Sequence, residues 1–451
     1  MKLNRTIKPA PSKDLNFVMP SVESFELDNK LKVYFIKKDT LPIVRLNIII
    51  NAGNKFDPEN KKGLSNLLSM CIDEGAGEFD ALQLSEQFDL IGAQFSVYSN
   101  SDTLQLIVQT LTENFGRAIE LLSMILIDPH LHKNDFEREK RKIITRLKQL
   151  QDEPEFLANA ALQKYLLGSN NPYSYPTIGK IDNITKITDE DVVSFYNSTV
   201  KPGNTFMVVA GAISTEELKD NLSRNFNNWS NTEFRLNISI GTNKDLRKVY
   251  VINKKDSVQT EIRVGHHTSG RGSKDYFNKQ ILNTILGGQF TSRINLNLRE
   301  KHGYTYGAGS SFNYYKESAY FSVSTSVGIE NTANALKEIM FELERIREGV
   351  TPEELDFAKD SIIRKFPLNF ETYRQVASNF IGKVIFDLPD DYFDTYIDNI
   401  KAVILEGVNE AAVKYIKPDV VSIILVGDKD KLKKQLSTDG FGDVIFTELE
   451  L

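Results

Sequence analysis

The chain of 451 residues lacks several features on which common classes of protein depend. It contains a single cysteine, Cys71, which excludes a framework of internal disulfide bonds. No segment reaches the run of about 18 apolar residues that a membrane-spanning helix needs. Lysine and arginine total 55 against 61 aspartates and glutamates, so no excess of positive charge indicates nucleic acid or an anionic membrane as a partner.

Signatures of catalysis are also scarce. The five histidines include no H-E-x-x-H helix of a zinc peptidase, and the G-x-S-x-G turn of serine hydrolases is missing. Gly287 and Gly288 lack the Lys-Ser/Thr that follows in a phosphate-binding loop. His130 and His132 could place two imidazoles on one side of an extended segment, but we favour a solvated loop after the preceding proline.

The first residues, Met1 to Pro9, contain no apolar core of a signal peptide. The expected compartment is therefore the cytoplasm, or the periplasm if a leader has been removed. Residues 1–20 are polar and rich in proline, which predicts an extended arm.

What the chain does contain is a long internal repeat. The stretch VKPGNTFMVVAG at residues 200–211 returns as IKPDVVSIILVG at residues 416–427, 216 residues later. A second pair of segments, 112–119 and 329–336, keeps nearly the same spacing. A period of this length is too long for a solenoid unit, so the repeat indicates two copies of one domain.

Composition sets the boundary between the two copies. The stretch 228–247 is rich in Asn, Thr and Ser and low in apolar residues, as linkers are. The predicted domains are therefore 1–228 and 248–451, joined by a linker at 229–247. Each half is long enough to bury a hydrophobic core.

Periodicity predicts the elements within each half. Alternate residues from Val44 to Ile50 are apolar, as in a half-buried strand, whereas apolar residues from Leu64 to Ile72 recur at helical spacing. Cys71 belongs to that helix face, so we expect a buried, unreactive thiol. Further helices are predicted at 80–91, 112–127, 134–151, 155–167, 275–299 and 330–348. Further single strands are predicted at 93–98, 103–110, 205–211 and 248–266, and more than one strand is predicted within 303–327.

Both halves thus mix strands and long helices without strict β-α-β alternation. Three predicted capping boxes mark helix starts, at Thr188–Asp191, Ser214–Glu217 and Thr351–Glu354. The predicted fold class is α+β, with two homologous domains that each consist of an antiparallel β-sheet covered by helices on one face. Joined by a flexible linker, the two halves would form a clam-shaped chamber.

One cluster in the second half suits substrate binding. Arg299 is expected at the end of a helix that breaks at Gly303, and Tyr306 is expected to enter the next strand, so both could point into the groove between helix and sheet. A guanidinium and a phenol suit a peptide carbonyl or a developing oxyanion. The alternative is a helix-capping arginine beside a packed tyrosine.

Several motifs in the first half resemble those of a known family. They are the Asn-Ala-Gly turn at 51–53, the Lys-Gly-Leu-Ser segment at 62–65 and the Asp-Glu-Pro at 152–154. Over about residues 20–430 the chain resembles the pitrilysin/insulinase-type metallopeptidases, whose zinc motif is the inverted H-x-x-E-H. The resemblance implies the LuxS/MPP-like metallopeptidase fold, in which two halves face another two across a closed chamber that holds the peptide.

The zinc motif itself is missing. Its two histidine places hold Asn66 and Met70, and its glutamate place holds Ser69. The remaining ligand place, two turns after Glu139 on a later helix, holds Arg146. Catalytic zinc needs about three N or O ligands, and a fixed cation repels it. We therefore expect no metal and no cofactor in this chain, and no hydrolysis by the chain alone.

The second half retains the other motif of the family. LGGQFTSR at 286–293 and LREKHGYTY at 298–306 match a segment whose Arg and Tyr reach the substrate backbone near the zinc in active members. The resemblance carries these roles to Arg299 and Tyr306. It implies a non-catalytic subunit of a heterodimeric zinc endopeptidase, with a homologous zinc-bearing H-x-x-E-H subunit as partner and a peptide or unfolded polypeptide as substrate.

Two other functions stay open at this point. The first is a non-enzymatic scaffold or peptide-binding chamber of the same fold. The second is a conventional enzyme that holds a metal at His130 and His132, which metal analysis of the pure protein would distinguish.

Overall fold

A computed structural model describes residues 17–230, 238, 240–241, 247–436 and 441–449 of the chain. Most of the predicted arm, 1–20, and most of the predicted linker, 229–247, lie outside these residues. Within the described ranges, no helix is both long and apolar enough to cross a membrane.

The described residues of the first half, 17–228, form eight strands. They are β1 (Val22–Glu26), β2 (Lys32–Lys37), β3 (Ile43–Ile50), β4 (Gly75–Ala76), β5 (Phe79–Asp80), β6 (Gln94–Ser99), β7 (Leu104–Leu111) and β8 (Thr205–Gly211). Six of them form one sheet in the order β1-β2-β8-β3-β7-β6, and β4 and β5 form a small separate ribbon.

Eight α-helices accompany this sheet in the part of the first half that the structure describes. They are α1 (Leu64–Cys71), α2 (Ala81–Leu90), α3 (Phe115–Ile127), α4 (Lys133–Leu150), α5 (Pro154–Leu162), α6 (Ile181–Ile184), α7 (Asp189–Thr199) and α8 (Thr215–Phe226). The predicted capping box of Thr188 and Asp191 opens α7. At α8 only its first half forms, because the Ser214 hydroxyl accepts the N–H of Glu217 at 3.1 Å without the reciprocal bond.

The second half repeats this plan. Its strands are β9 (Lys248–Asn253), β10 (Gln259–His267), β11 (Ala308–Tyr314), β12 (Ala319–Gly328), β13 (Ser422–Gly427) and β14 (Asp443–Thr447). Its helices are α9 (Tyr276–Leu286), α10 (Arg293–Asn295), α11 (Thr332–Arg345), α12 (Pro352–Lys365), α13 (Tyr373–Ile385), α14 (Tyr396–Ala402), α15 (Leu405–Tyr415) and α16 (Lys429–Leu436).

The strand order shows the duplication directly. The second sheet runs β14-β9-β13-β10-β12-β11, so β9, β13, β10, β12 and β11 take the places of β2, β8, β3, β7 and β6. The repeated segments 200–211 and 416–427 end in β8 and β13, which hold the same place in the two sheets. The predicted α+β class with two sheet-and-helix halves is confirmed.

The sheets are mixed, not purely antiparallel as predicted. β2 runs parallel to β8, and β9 runs parallel to both β13 and β14. The parallel pairing follows from the chain connections, because long helical segments and not hairpins lead into β8 and β13. The remaining pairs of the two sheets are antiparallel.

Each sheet is covered on both faces, which corrects the prediction of helices on one face. The alternating apolar residues of β3 at 44–50 face a core formed by helices of their own half. On the opposite face, Ile49 and Val208 pack against Val376 and Phe380 of α13, which belongs to the second half. A sheet face with apolar side chains must be buried, and here the other half buries it.

The second sheet is covered in the same way. Ile424 and Val426 of β13 pack against Leu157 and Ala161 of α5, which belongs to the first half. Helix α5 thus does for the second sheet what α13 does for the first. The two halves are therefore interlocked by reciprocal packing and are not held together by a linker alone.

Two predicted elements of the second half are divided. The predicted helix 275–299 breaks after α9, where a Cβ on Gly287 would lie 2.3 Å from the Ser310 Oγ of β11. It resumes as α10 and a π-helical turn, Leu296–Lys301. The predicted strand 248–266 is the pair β9 and β10, joined by a short turn.

Candidate functional site

Helix α1 carries three of the four degenerate metal-site positions and starts at a fixed turn. Gly63 adopts φ +106°, and a Cβ there would lie 2.4 Å from Ile184 Cδ1. The Asp57 carboxylate accepts the N–H of Gly63 at 2.7 Å and that of Ser65 at 2.8 Å. Burial raises the pKa of Asp57 to about 7, although these bonds act to lower it. The turn fixes the direction in which α1 leaves the loop.

The side chains at the three α1 positions contact one another and the core. The Asn66 Nδ2 is 4.0 Å from the Met70 sulfur, and the Ser69 hydroxyl donates to the backbone oxygen of Asn66 at 2.7 Å. Ser69 is buried, and the half-buried Met70 packs against the core of the first half. These residues therefore form a packed helix surface.

The fourth position lies on α4, which packs against α1. Arg146 is exposed, and its guanidinium lies 3.0 Å from the Glu153 carboxylate. Glu139, which matches an earlier glutamate of the family motif, is buried and accepts from Lys142 at 2.7 Å and Arg138 at 3.0 Å. Arg146 and Glu139 are thus both engaged in ion pairs of this chain.

These residues do not fit a catalytic zinc ion. Zinc takes imidazole, thiolate and carboxylate ligands, whereas the four positions offer an amide, a hydroxyl, a thioether and a guanidinium. Burial raises the pKa of the neighbouring Cys71 thiol, which disfavours the thiolate that binds metals. Among the described residues, no group of three or more His, Cys, Asp or Glu could hold a metal ion. The lack of zinc in this chain stays a prediction.

The imidazole pair of the first half lies in the loop before α4. The rings of His130 and His132 stack with centroids 4.8 Å apart. His130 is half-buried and its Nε2 lies 2.8 Å from the Gly77 carbonyl, so the prediction of a solvated loop is wrong for this ring. It is correct for His132, which is exposed. The bond to Gly77 uses one ring nitrogen of the predicted pair.

Arg299 lies on the π-helical turn Leu296–Lys301. Its guanidinium carbon is 4.4 Å from the ring centroid of Phe290, and its Nε is 3.6 Å from the Glu300 carboxylate. The side chain is 33% exposed and Phe290 is 62% exposed. The structure therefore places a cation on an apolar support at the surface, and π-helical turns are often found at functional sites.

Tyr306 does not enter a strand or point into the groove between helix and sheet, so that prediction is wrong. It lies in the loop before β11, and its side chain is 95% exposed. Two hydrogen bonds fix the loop backbone at Gly307. The Thr325 hydroxyl of β12 donates to the Gly307 oxygen at 3.0 Å, and the Gly307 N–H donates to Thr305 Oγ1 at 3.1 Å. An ordered loop thus presents the ring to solvent.

A groove that was not predicted from the sequence lies between the two halves. It has a volume of about 900 Å³ and is lined by β3, β6, β7 and the start of α13. A signal was present in β3, where Arg45 and Asn47 occupy the positions between the apolar residues. Their side chains lie on the face opposite the first core, and this face forms the groove wall.

Two family models match the chain. The model described as "Insulinase (Peptidase family M16)" matches residues 32–176, and the one described as "Peptidase M16 inactive domain" matches residues 186–362. The chain belongs to peptidase family M16. The first model spans the degenerate positions of α1 and α4, and the second spans Arg299 and Tyr306.

Relatives in this family differ in what their names claim. An "Uncharacterized zinc protease" of Rickettsia felis is 25% identical over 84% of this chain and 91% of that protein. The "Non-peptidase homolog YmxG" of Helicobacter pylori is 22% identical over 90% of this chain and 93% of that protein. The crystal structure of a peptidase M16 inactive domain from Pseudomonas fluorescens matches with a TM-score of 0.84 at 22% identity, covering 90% of this chain and 98% of that one. The last match shows the fold alone.

Proposed function

We propose that this chain is the non-catalytic subunit of a two-chain M16 zinc peptidase. In this proposal it supplies Arg299 and Tyr306 to the active site of a separate subunit that carries an intact H-x-x-E-H motif. The observation that carries the proposal is a contrast within one molecule. The metal-site positions of α1 and α4 hold side chains that do not suit a catalytic zinc ion, whereas Arg299 and Tyr306 lie at the surface of the other half.

The environment of Tyr306 supports a role outside this chain. A ring that is 95% exposed adds almost nothing to the stability of its own domain. The backbone beneath it is nevertheless fixed by Thr305 and Thr325. A large aromatic side chain on an ordered loop is typical of a residue that contacts a ligand or a partner.

Arg299 and Tyr306 would hold the peptide while the partner's zinc provides the activated water. The guanidinium offers fixed donors to a peptide carbonyl, and the phenol offers one more. Such donors act on the charge that develops on the carbonyl oxygen, and the loss of one typically lowers the rate by about 100- to 1000-fold.

The test is reconstitution with an H-x-x-E-H paralogue of similar length. We expect peptide cleavage by the mixture, none by this chain alone, and no stoichiometric zinc in this chain by metal analysis. Arg299→Ala and Tyr306→Phe should each lower kcat of the mixture by about 100-fold or more while the complex still forms.

Matched controls lie within the same segment. Tyr304, which stacks on His302 at 5.1 Å and packs against the core of the second half, controls for Tyr306 through Tyr304→Phe. Lys301→Ala removes an exposed cation two residues from Arg299. Full turnover by both the Arg299 and Tyr306 variants would exclude the proposed role.

The scaffold function remains the second candidate, because one relative is named a non-peptidase homolog and the groove between the halves could bind a peptide without cleavage. Binding of a peptide by this chain without cleavage by any mixture would favour it.

A further inference from the structure

The groove between the halves has a polar wall that the strand register builds. On β3, Arg45 lies opposite Gln109 of β7, and Gln109 lies opposite Gln94 of the edge strand β6. One step along, Asn47 and Ser96 flank Ile107 in the same way. Helix α13 covers the part of this face near β8, so the row near β6 stays open. Gln94 and Ser96 are exposed and Arg45 and Gln109 are half-buried, so these side chains are accessible to a ligand, whereas Asn47 is buried and donates to the Val208 oxygen.

Arg45 places a positive charge on this wall, and not all of its N–H groups have a hydrogen-bond acceptor among the described residues. Its Nη1 donates to Gln109 Oε1 at 3.3 Å, a neutral acceptor. Its Nε is buried and has no hydrogen-bond partner among the described residues. Burial, and next the charge of Arg374, lower the pKa of Arg45, so a second cation lies near enough to act on it. A buried donor without an acceptor is costly unless a ligand supplies one.

Arg374 approaches the same groove from the other half. It lies in the first turn of α13, whose N-terminus is capped by the box of Thr372 and Gln375. A cation is unfavourable at a helix N-terminus, where the helix dipole is positive. The side chain is exposed, and neither an ion pair nor a hydrogen bond to another described residue is formed. Among the described residues that line the groove, the one carboxylate is that of the exposed Glu371, three residues before Arg374.

We propose that this groove binds an extended peptide and that Arg45 and Arg374 together receive the carboxylate of an acidic residue in it. Two guanidinium groups and a helix N-terminus line the same groove, which favours an anion. The amides of Gln94 and Gln109 line the same wall and match the donors and acceptors of a peptide backbone. A volume of about 900 Å³ exceeds what a single carboxylate requires.

Peptide binding in this groove requires neither the partner subunit nor zinc. It can therefore be disproved while the proposed peptidase role stands, and the peptidase role can be disproved while groove binding stands. The test uses the full chain and two blocked octapeptides that differ only in a central glutamate or glutamine, with affinity measured by fluorescence anisotropy. We expect the glutamate peptide to bind about 10-fold more tightly at low salt. The preference should shrink at 0.5 M NaCl, because salt screens charges.

The variants locate the preference. The double variant Arg45→Gln, Arg374→Gln should bind both peptides alike, at the affinity of the glutamine peptide. Arg224→Gln, which removes an exposed arginine on α8 outside the groove, should leave the preference unchanged. Arg374 is exposed, so Arg374→Glu is expected to fold even if the double variant does not, and it should reverse the preference.

Three outcomes would overturn the proposal. They are equal binding of the two peptides by the unmodified chain, a preference that survives in the Arg374→Glu variant, and displacement of the peptide by glutarate at equal concentration. The last result would assign the groove to a small carboxylate.

Discussion

His266 shows how one buried side chain makes the fold sensitive to acid. It is 1% exposed at the end of β10 and stacks on Phe321. Its Nδ1 lies 2.9 Å from the His267 carbonyl, and its Nε2 accepts the N–H of Lys417 at 3.2 Å. These two contacts fit the neutral ring, with the proton on Nδ1. Burial lowers the pKa of His266 to about 4.

The sign of the resulting pH dependence is fixed. The unfolded chain binds a proton at His266 near pH 6.5, whereas the folded chain does so only near pH 4. Between these values the unfolded state holds more protons, so the free energy of unfolding falls as the pH falls. We expect this residue to account for about 2.5 kcal/mol of the loss between pH 7 and pH 4.5.

Urea unfolding of His266→Gln at pH 7 and pH 4.5 measures how much His266 contributes to the loss of stability in acid. The variant should lose about 2.5 kcal/mol less than the unmodified chain on acidification. His132→Gln, at an exposed position, serves as the control. An equal acid loss in His266→Gln and the unmodified chain would contradict the prediction.

At the scale of single residues, the sequence best predicts properties that depend only on the chemistry of a side chain. Asn66, Met70 and Arg146 lack the imidazole and carboxylate groups of a catalytic zinc site, so the prediction that this chain binds no zinc depends on residue identity alone. The surroundings of Tyr306 could not be predicted, because its exposure depends on a loop that Gly303 at φ +66° and Thr325 of another strand hold in place. Long-range contacts of this kind leave no local pattern.

At the scale of elements, α12 shows one residue with two functions. Thr351 Oγ1 accepts the N–H of Glu354 at 3.2 Å, and Glu354 accepts the N–H of Thr351 at 2.9 Å. The same carboxylate receives Arg293 in a bidentate pair at 2.7 and 2.6 Å. Glu354 therefore joins α12 to α10, and the capping box is only part of what it stabilises.

We expect Thr351→Ala to lower the free energy of unfolding by about 1 kcal/mol, which is typical for loss of a helix cap. Glu354→Ala should cost more, about 2–3 kcal/mol, since it also leaves the nearly buried Arg293 without its carboxylate. Urea unfolding measures both, and Thr188→Ala at the capping box of α7 is the matched control at about 1 kcal/mol. Equal losses at Thr351 and Glu354 would show that the pair with Arg293 contributes nothing.

Helix starts were predictable because the capping pattern is local, and Thr188 and Thr351 are examples. Breaks within helices could not be predicted, because they arise from packing against distant parts of the chain. The break at Gly287 comes from the close approach of Ser310 on β11, whose N–H donates to the Gly287 oxygen at 3.0 Å. The parallel pairing of β2 with β8 likewise depends on where a distant segment returns to the sheet.

At the scale of the whole molecule, the two halves meet through apolar and polar contacts. The Asp102 carboxylate, in the turn between β6 and β7, accepts the Lys55 ammonium at 3.0 Å and the Tyr173 hydroxyl at 2.7 Å. It also accepts the N–H of Lys316 at 3.0 Å, in the equivalent turn between β11 and β12. Corresponding turns of the two halves therefore meet, as expected for related copies that pack reciprocally.

This interlock predicts that the halves unfold together. Phe380 of α13 is 3% exposed, and its ring lies 5.3 Å from that of Tyr34 in the first sheet. Phe380→Ala should lower the free energy of unfolding by about 3–5 kcal/mol. The single tryptophan, Trp229, is buried in the core of the first half, so its fluorescence reports on that half.

We therefore expect Phe380→Ala, a change in the second half, to shift the Trp229 transition in urea as far as the transition seen by circular dichroism. Phe357→Ala changes a residue of the same type on α12 that is 54% exposed, and it should shift neither. If Trp229 keeps its midpoint in Phe380→Ala while circular dichroism shows earlier unfolding, the halves are independent. In that case α13 only lies on the first sheet and does not stabilise it.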